Sequence, residues 1–482
     1  MTSSPLKLAA LLAGAALLAG CASVGPDYPG PPAAVPKAAA AAAFNRAAVA
    51  GASPVSPPAR WWDSLNDPLL SHFIDQALAQ SPTIDAAQAR VRGARASLRE
   101  SRTKLLPTGG ANAREISARL PVGALSALTG RTNGGGGVKT VDLYNADFDA
   151  SWEIDVFGGA RRGAEAAAAR AAAQQAALED VQVELAAETA QVYVDLRDAQ
   201  ARLALAREDL AVEARVLDLV RERQAHGVAA AGDVERSETD LYQTQAQIAP
   251  LQSRIDQLCD QLAVLTGEEP GALDGALAEA RPVPTPPATT LVGDPASLLR
   301  RRPDIREAER RLAASNAQIG QNVAQYFPRV QLIGDIGFTA TEPGQVFRHS
   351  SFSALGGPSL SWGILNFPRI AAEVGEARAG RDEAAAQYRR TVLAALQDAE
   401  ASLSRYGGQR ESLAALALAE TSAKRAAEAT RLRYQAGTAA LIDLLDAERQ
   451  AIHARQALAQ GQAGLTDNFI ALQKSLGLGW LA

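Results

Sequence analysis

Tyr144-Asn145-Ala146-Asp147-Phe148-Asp149-Ala150-Ser151-Trp152-Glu153-Ile154-Asp155 alternates apolar and polar side chains over twelve residues without a break. Tyr144, Ala146, Phe148, Ala150, Trp152 and Ile154 face one way, and Asn145, Asp147, Asp149, Ser151, Glu153 and Asp155 face the other. A period of two is the period of a β-strand, and the length matches the ~9–11 residues that cross a bilayer at a tilt. Val330, Leu332, Gly334, Ile336 and Phe338 repeat the pattern, and Phe352, Ala354, Leu360, Trp362 and Ile364 repeat it more weakly. The polar face is acidic. Asp147, Asp149, Glu153 and Asp335 are therefore candidates for the wall of a water-filled lumen. The same alternation also suits a soluble amphipathic sheet packed on helices, and periodicity alone does not choose between the two.

Working outward, the chain repeats itself. At an offset of 210, Ser151-Trp152-x-Ile154-x-x-Phe157 matches Ser361-Trp362-x-Ile364-x-x-Phe367, and Arg221, Arg223, Gly227, Asp233 and Gly267 match Arg431, Arg433, Gly437, Asp443 and Gly477. At an offset of 221, Pro82, Ile84, Arg90 and Pro107 match Pro303, Ile305, Arg311 and Pro328. The offsets differ by 221 − 210 = 11, which implies a duplication with one length change between Pro107 and Ser151, where Gly134-Gly135-Gly136-Gly137 stands.

Each half has one order of elements. A helix between prolines (Pro82 to Pro107, Pro303 to Pro328) comes first, then two strands, at about 108–120 and 141–155 in the first half and about 329–340 and 352–364 in the second. A very long helix follows, roughly Gly158 to Gln224 and Pro368 to Gln435. After a glycine turn comes a return helix, Asp233 to Thr266 and Asp443 to Leu476. At 1.5 Å per residue the long helix spans ~100 Å, and the two shorter helices end to end come to ~90 Å, so they fit alongside it. Each half is thus expected to be a long antiparallel helical pair with strands at one end and a tight turn at the other. Abundant alanine and only 5% aromatic residues agree with closely packed helices.

At the N-terminus, Lys7 precedes an apolar run from Leu8 to Gly20, too short for a bilayer span and right for a signal-peptide core. It ends Leu18-Ala19-Gly20-Cys21, which reads as a lipoprotein box with Cys21 as the acylated residue; the plain alternative is an ordinary signal peptide with a chance cysteine. Ala22, rather than an aspartate, follows the cysteine and favours the outer membrane. The expected organisation is a signal peptide at 1–20, a lipidated Pro/Ala-rich tether at 21–60, a first structural repeat at 61–280, a Pro-rich linker at 281–294, and a second repeat at 295–482.

Four strands cannot close a barrel. In hydrocarbon, two open edges of ~10 residues leave ~20 backbone groups without partners, at a few kcal/mol each. That exceeds the ~5–15 kcal/mol by which a domain is stable, so closure must come from other chains. Two copies give eight strands and a barrel filled by side chains; three give twelve and a passage, which an acidic lumen prefers.

These features resemble the TolC-like outer-membrane efflux proteins, in particular their lipoprotein branch (NodT/OprM-type) that serves RND tripartite pumps. The resemblance runs from Cys21 to Trp480. It rests on Val24-Gly25-Pro26-Asp27-Tyr28, Trp61-Trp62, Arg301-Arg302-Pro303-Asp304-Ile305-Arg306 through Phe327-Pro328, and Arg433-Tyr434-x-x-Gly437 followed by Asp443-Leu444-Leu445-Asp446-Ala447. It implies an α+β membrane protein in which duplicated long α-helical hairpins form a periplasmic tunnel and four β-strands per chain contribute to a trimeric 12-stranded outer-membrane β-barrel. The implied role is the exit duct of a tripartite efflux system in a Gram-negative bacterium. The implied partners are two further copies, a periplasmic adaptor (membrane fusion) protein, an inner-membrane RND-type transporter and the lipid bilayer. By motif position, Asp233, Tyr434, Asp443 and Asp446 are candidates for a periplasmic gate, and Arg221, Arg223, Gly227, Arg431, Arg433 and Gly437 mark hairpin tips that meet the adaptor. Ala439 departs from the family pattern, which often has a charged gate residue there. From the residues alone, Asp233 and Asp443 equally suit the positive N-terminal ends of the return helices, and the arginines suit solvated faces or intrachain pairs.

A net charge of 48 − 53 = −5 argues against nucleic acid as a partner. His72, His226, His349 and His453 are scattered and form no helical pair with a carboxylate, so no catalytic, cofactor or metal residues are assigned. The rival from another class is a trimeric stalk or adhesin without transport. Native mass measurement in detergent should therefore give three copies per particle, and a monomer would contradict closure by other chains.

Overall fold

A computed structural model describes residues 23–121 and 138–480; the leader, Cys21 and the glycine run at 134–137 lie outside the described residues. The α-helices longer than four residues, in chain order, are α1 (Pro68–Gln80), α2 (Pro82–Thr103), α3 (Gly159–Ala225), α4 (Ala231–Leu265), α5 (Pro295–Arg301), α6 (Pro303–Val323), α7 (Phe367–Gln435) and α8 (Leu441–Ser475). The strands are β1 (Ala52–Ser53), β2 (Thr108–Pro121), β3 (Val138–Ile154), β4 (Thr290–Leu291), β5 (Arg329–Ala340) and β6 (Phe352–Ser361). The long helices α3 and α7 run for 67 and 69 residues. Among the described residues no helix is long and apolar enough to cross a membrane.

Local chemistry sets the helix ends. Asp67 and Asp294 stand before prolines and accept hydrogen bonds from first-turn N–H groups of α1 and α5, while the proline occupies a position whose N–H has no helical partner. Both long helices stop at a glycine in the left-handed region, Gly227 at φ 72° and Gly437 at φ 73°. The N–H groups of the next residues, Val228 and Thr438, reach back to the carbonyls of Arg223 and Arg433 at 2.9 and 2.8 Å. A side chain at either glycine would strain that closure.

The described chain forms two compact units, and neither follows the sequence repeat. Over the described residues, one is drawn from 23–31, 92–121, 138–172 and 310–386; the other from 32–91, 173–309 and 387–480. The first holds a four-stranded antiparallel sheet in the order β2-β3-β5-β6. Its register lines up Ala111, Phe148, Ile336 and Ala354 across one face, and Asn112, Asp147, Gly337 and Ser353 in the next row on the other. Gly337 is required there, because a Cβ would lie 2.6 Å from the Cα of Asp147. The two prolines of the sheet among the described residues, Pro121 and Pro358, sit on the edge strands β2 and β6 and not on the central strands β3 and β5.

The second unit packs helices around Trp61 and Trp62, both fully buried, with the Phe469 ring 6.1 Å from Trp61. Arg302 ties three of its segments together. Its guanidinium donates to the Ser475 carbonyl at the end of α8 (2.6 Å), to Asp304 (2.8 Å) and to Asp398 (3.3 Å).

Three sequence expectations are corrected. The segment read as a tether at 21–60 is packed over its described part. Ser23 to Asp27 is held in the first unit: Val24 donates to the Phe157 carbonyl at 3.0 Å, and buried Arg162 donates to the Val24 carbonyl and to Asp27. In the second unit, Asn45 and Arg46 give backbone N–H groups to Glu400, and Arg410 donates to the Ala50 carbonyl. Next, the linker at 281–294 supplies β4, which pairs in parallel with β1, and buries Thr290 and Val292. Both segments combine hydrogen bonds to distant side chains and backbone with a few buried apolar residues, Phe44, Ala50 and Val292, too scattered to make a regular stripe, so periodicity could not reveal them. Lastly, β6 ends at Ser361; Ile364 lies in a single 3-10 turn, and Asp155 accepts from the Ala160 and Arg161 N–H groups at the start of α3 instead of extending the polar face of β3. Glu400→Ala removes the acceptor of three hydrogen bonds and should weaken local docking by ~1–3 kcal/mol. Limited proteolysis should then cut residues 40–50 faster, with helical content unchanged.

Candidate functional site

The sheet builds a wall with two chemically opposite faces. On one, Phe148, Trp152, Leu332, Ile336, Phe352 and Leu360 remain exposed within the chain. A soluble sheet would cover such a surface; a bilayer is the solvent that tolerates it. Aromatic residues mark its two ends. Trp152 and Trp362 lie at the helix side, and each indole N–H donates at 2.9 Å to a backbone carbonyl, of Leu105 and of Tyr326. These two bonds are related by the same duplication, since 105 + 221 = 326 and 152 + 210 = 362. Tyr144, Phe338 and Phe352 lie at the far side. Eight residues from Tyr144 to Trp152 span ~26 Å along a strand, or ~20 Å of membrane at a 35–45° tilt. Beyond Tyr144 the alternation inverts, Asp142 falling on the apolar face and Leu143 on the polar one, so the apolar band stops there.

The other face carries the four sequence candidates. Asp149 and Asp335 are direct cross-strand partners. Like charges so placed repel, and Asn112 relieves this by donating to Asp149. Asp147, one row away, is buried against Asn145 and lies 3.6 Å from Arg114. Glu153 stands opposite Gln331. The structure thus places all four acids on one face with the polar side chains of the sheet.

The second candidate region is the pair of turns at Gly227 and Gly437. Asp233 accepts from the Ala230 N–H at 3.0 Å, and Asp443 from the Ala440 N–H at 3.1 Å. These are half capping boxes, because alanine has no side-chain oxygen to complete the exchange. Asp446 pairs with Arg449 at 2.8 Å, while Tyr434 is exposed. Of the four arginines, Arg221 pairs with Glu238 at 2.6 Å and Arg431 with Glu448 at 3.3 Å, again equivalents under the duplication; Arg223 and Arg433 are exposed.

Sequence reading missed the contact that joins the two hairpins. Val212 of α3 packs with Leu445 and Ile452 of α8, and charged pairs run along this strip: Arg215–Glu448 at 3.0 Å, Arg449–Glu213 at 3.3 Å and Arg455–Glu208 at 2.8 Å. A signal was present. Asp209 and Glu213, four apart, interrupt an otherwise apolar helix face, as do Arg449 and His453.

Comparison with known proteins agrees with this geometry. The family model for outer membrane efflux proteins matches residues 73–268 and 295–478. The pyoverdine export outer membrane protein OpmQ of Pseudomonas aeruginosa is 30% identical over 481 residues, covering 98% of this chain and 97% of the relative. The antibiotic efflux pump outer membrane protein ArpC of Pseudomonas putida is 29% identical, covering 100% of this chain and 96% of the relative. Among solved structures, the outer-membrane channel OprN superposes with a TM-score of 0.84 at 33% identity, covering 95% of this chain and 100% of OprN. The open-state MtrE channel of Neisseria gonorrhoeae does so at 0.78 and 26% identity, covering 95% of this chain and 98% of MtrE.

Fold and site define a subunit of an outer-membrane efflux channel, with strands in the outer membrane and helices in the periplasm. The chain belongs to the outer membrane efflux protein family. That family consists of channels rather than enzymes, which sets aside the stalk or adhesin reading. The acidic wall makes a prediction: Asp149→Asn with Asp335→Asn should lower the cation-to-anion permeability ratio by about twofold or more in planar-bilayer recordings.

Proposed function

We propose that three copies of this chain close a twelve-stranded barrel, and that the duct receives small molecules from an inner-membrane RND-type transporter through a periplasmic adaptor. The observation that carries this reading is the open sheet: β2 and β6 are edges within the chain, yet the sheet's apolar face belongs in hydrocarbon. Pairing β6 of one copy with β2 of the next satisfies both edges, and OpmQ and ArpC are named for export and for an efflux pump. Cys21 acylation supplies a second hold on the bilayer, since each buried CH₂ adds ~0.8 kcal/mol.

The turns form the periplasmic entrance in this reading. Asp233 and Asp443 set the first turn of the return helices. Asp446 and Tyr434 line the opening, while exposed Arg223 and Arg433 offer contacts to the adaptor. With Ala439 in place of a charged latch, the closed state leans on the strip between α3 and α8. Ala113→Cys paired with Ala354→Cys on the two edge strands should yield disulfide-linked dimers and trimers on oxidation. Monomers alone would overturn the closure. Arg449→Ala leaves Glu213 buried without its partner, and should raise single-channel conductance or open time several-fold.

A further inference from the structure

The strip joining α3 to α8 has more negative charge than it can neutralise. Arg449 alone serves three carboxylates, Asp446 at 2.8 Å, Glu213 at 3.3 Å and Asp240 of α4 at 3.9 Å. Asp209, one helical turn from Glu213, faces Nε2 of His453 at 3.5 Å, which makes an ion pair only when the imidazole carries both protons. Both acids are buried, Glu213 to 2% and Asp209 to 6% exposure. One oxygen of each, Oε2 of Glu213 and Oδ1 of Asp209, is buried without a hydrogen-bond partner. The outer pairs add nothing to the imbalance: Glu208 has Arg455, and Glu448 has both Arg215 and Arg431.

We infer that this strip is a proton-sensitive latch, in which proton uptake by Asp209 and Glu213 holds α8 against α3 and proton loss as the pH rises loosens it. A proton gives each orphaned carboxyl a donor and removes a charge from an apolar contact lined by Val212, Leu445 and Ile452. Arg449 loses little, because Asp446 and Asp240 remain. Burial is the largest influence on both acids and holds them above the usual carboxylate range, outweighing His453 and Arg449, which act the other way. When the helices part, water returns and both groups relax to ordinary values, so the packed strip binds protons more tightly. Its advantage is complete below the ordinary carboxylate range and is lost as pH climbs through the raised values. Each fully coupled proton changes the packed-to-parted ratio by up to ~tenfold per pH unit.

The functional side of the latch rests on the turns being the entrance, so the test reads the strip and the conductance separately. The full chain in nanodiscs is compared with Asp209→Asn/Glu213→Gln, which keeps side-chain volume, and with His453→Gln. Hydrogen exchange of residues 205–220, corrected for intrinsic rate, should rise about threefold or more in the unaltered chain between about pH 4, within the ordinary carboxylate range, and about pH 7.5, and stay flat in the double variant. His453→Gln should retain most of the rise. A flat profile in the unaltered chain, a rise that survives in the double variant, or its abolition by His453→Gln alone would each overturn the latch. If exchange follows pH while single-channel conductance does not, the latch stands and the entrance reading fails.

Discussion

A backbone N–H or C=O that enters hydrocarbon must find a partner in protein, and the rest of this molecule is organised around that demand. The four strands satisfy it internally at three interfaces and leave it open along β2 and β6. Everything else in the first unit suits a sheet completed from outside. The apolar face has no cover among the described residues, and the acids converge on the opposite face.

The membrane wall was legible in sequence because its code is short-range. A period of two over twelve residues fixes both faces, and the observed register joins Phe148 to Ile336 and Asp149 to Asp335 as that alternation requires. Helix limits were readable for a similar reason. Pro82, Pro303, Gly227 and Gly437 act through their own backbone geometry. What escaped was the N-terminal segment and the strip between α3 and α8. Arg162 reaching Val24, or Glu400 receiving Asn45, are single long-range bonds with no periodic trace. The candidate acids at the turns were visible, but their local role at the helix starts became concrete only when Asp233 and Asp443 were found on the N–H groups of Ala230 and Ala440.

The two regions place opposite demands on carboxylates. In the wall, Asp149, Glu153 and Asp335 keep part of their surface exposed among polar neighbours. Along the strip, Asp209 and Glu213 are enclosed, and their charge opposes packing. Glu213 beside Val212 and Leu445 is tolerable largely because Arg449 is near. Buried charge of this kind adds little to stability, yet it makes the contact conditional, which a rigid apolar seam would not be.

The doubled indole-to-carbonyl bonds, Trp152 with Leu105 and Trp362 with Tyr326, bear on stoichiometry. A half-chain ancestor with two strands would have needed six copies to make twelve, whereas the fused chain needs three. Fusion also freed the halves to diverge, as Arg449 and its counterpart Thr239 show. In the ring of three proposed above, the features shared by the halves would recur six times and those that differ, such as Arg449, three times. A partner that read only the former would find six places, and one that read the latter three.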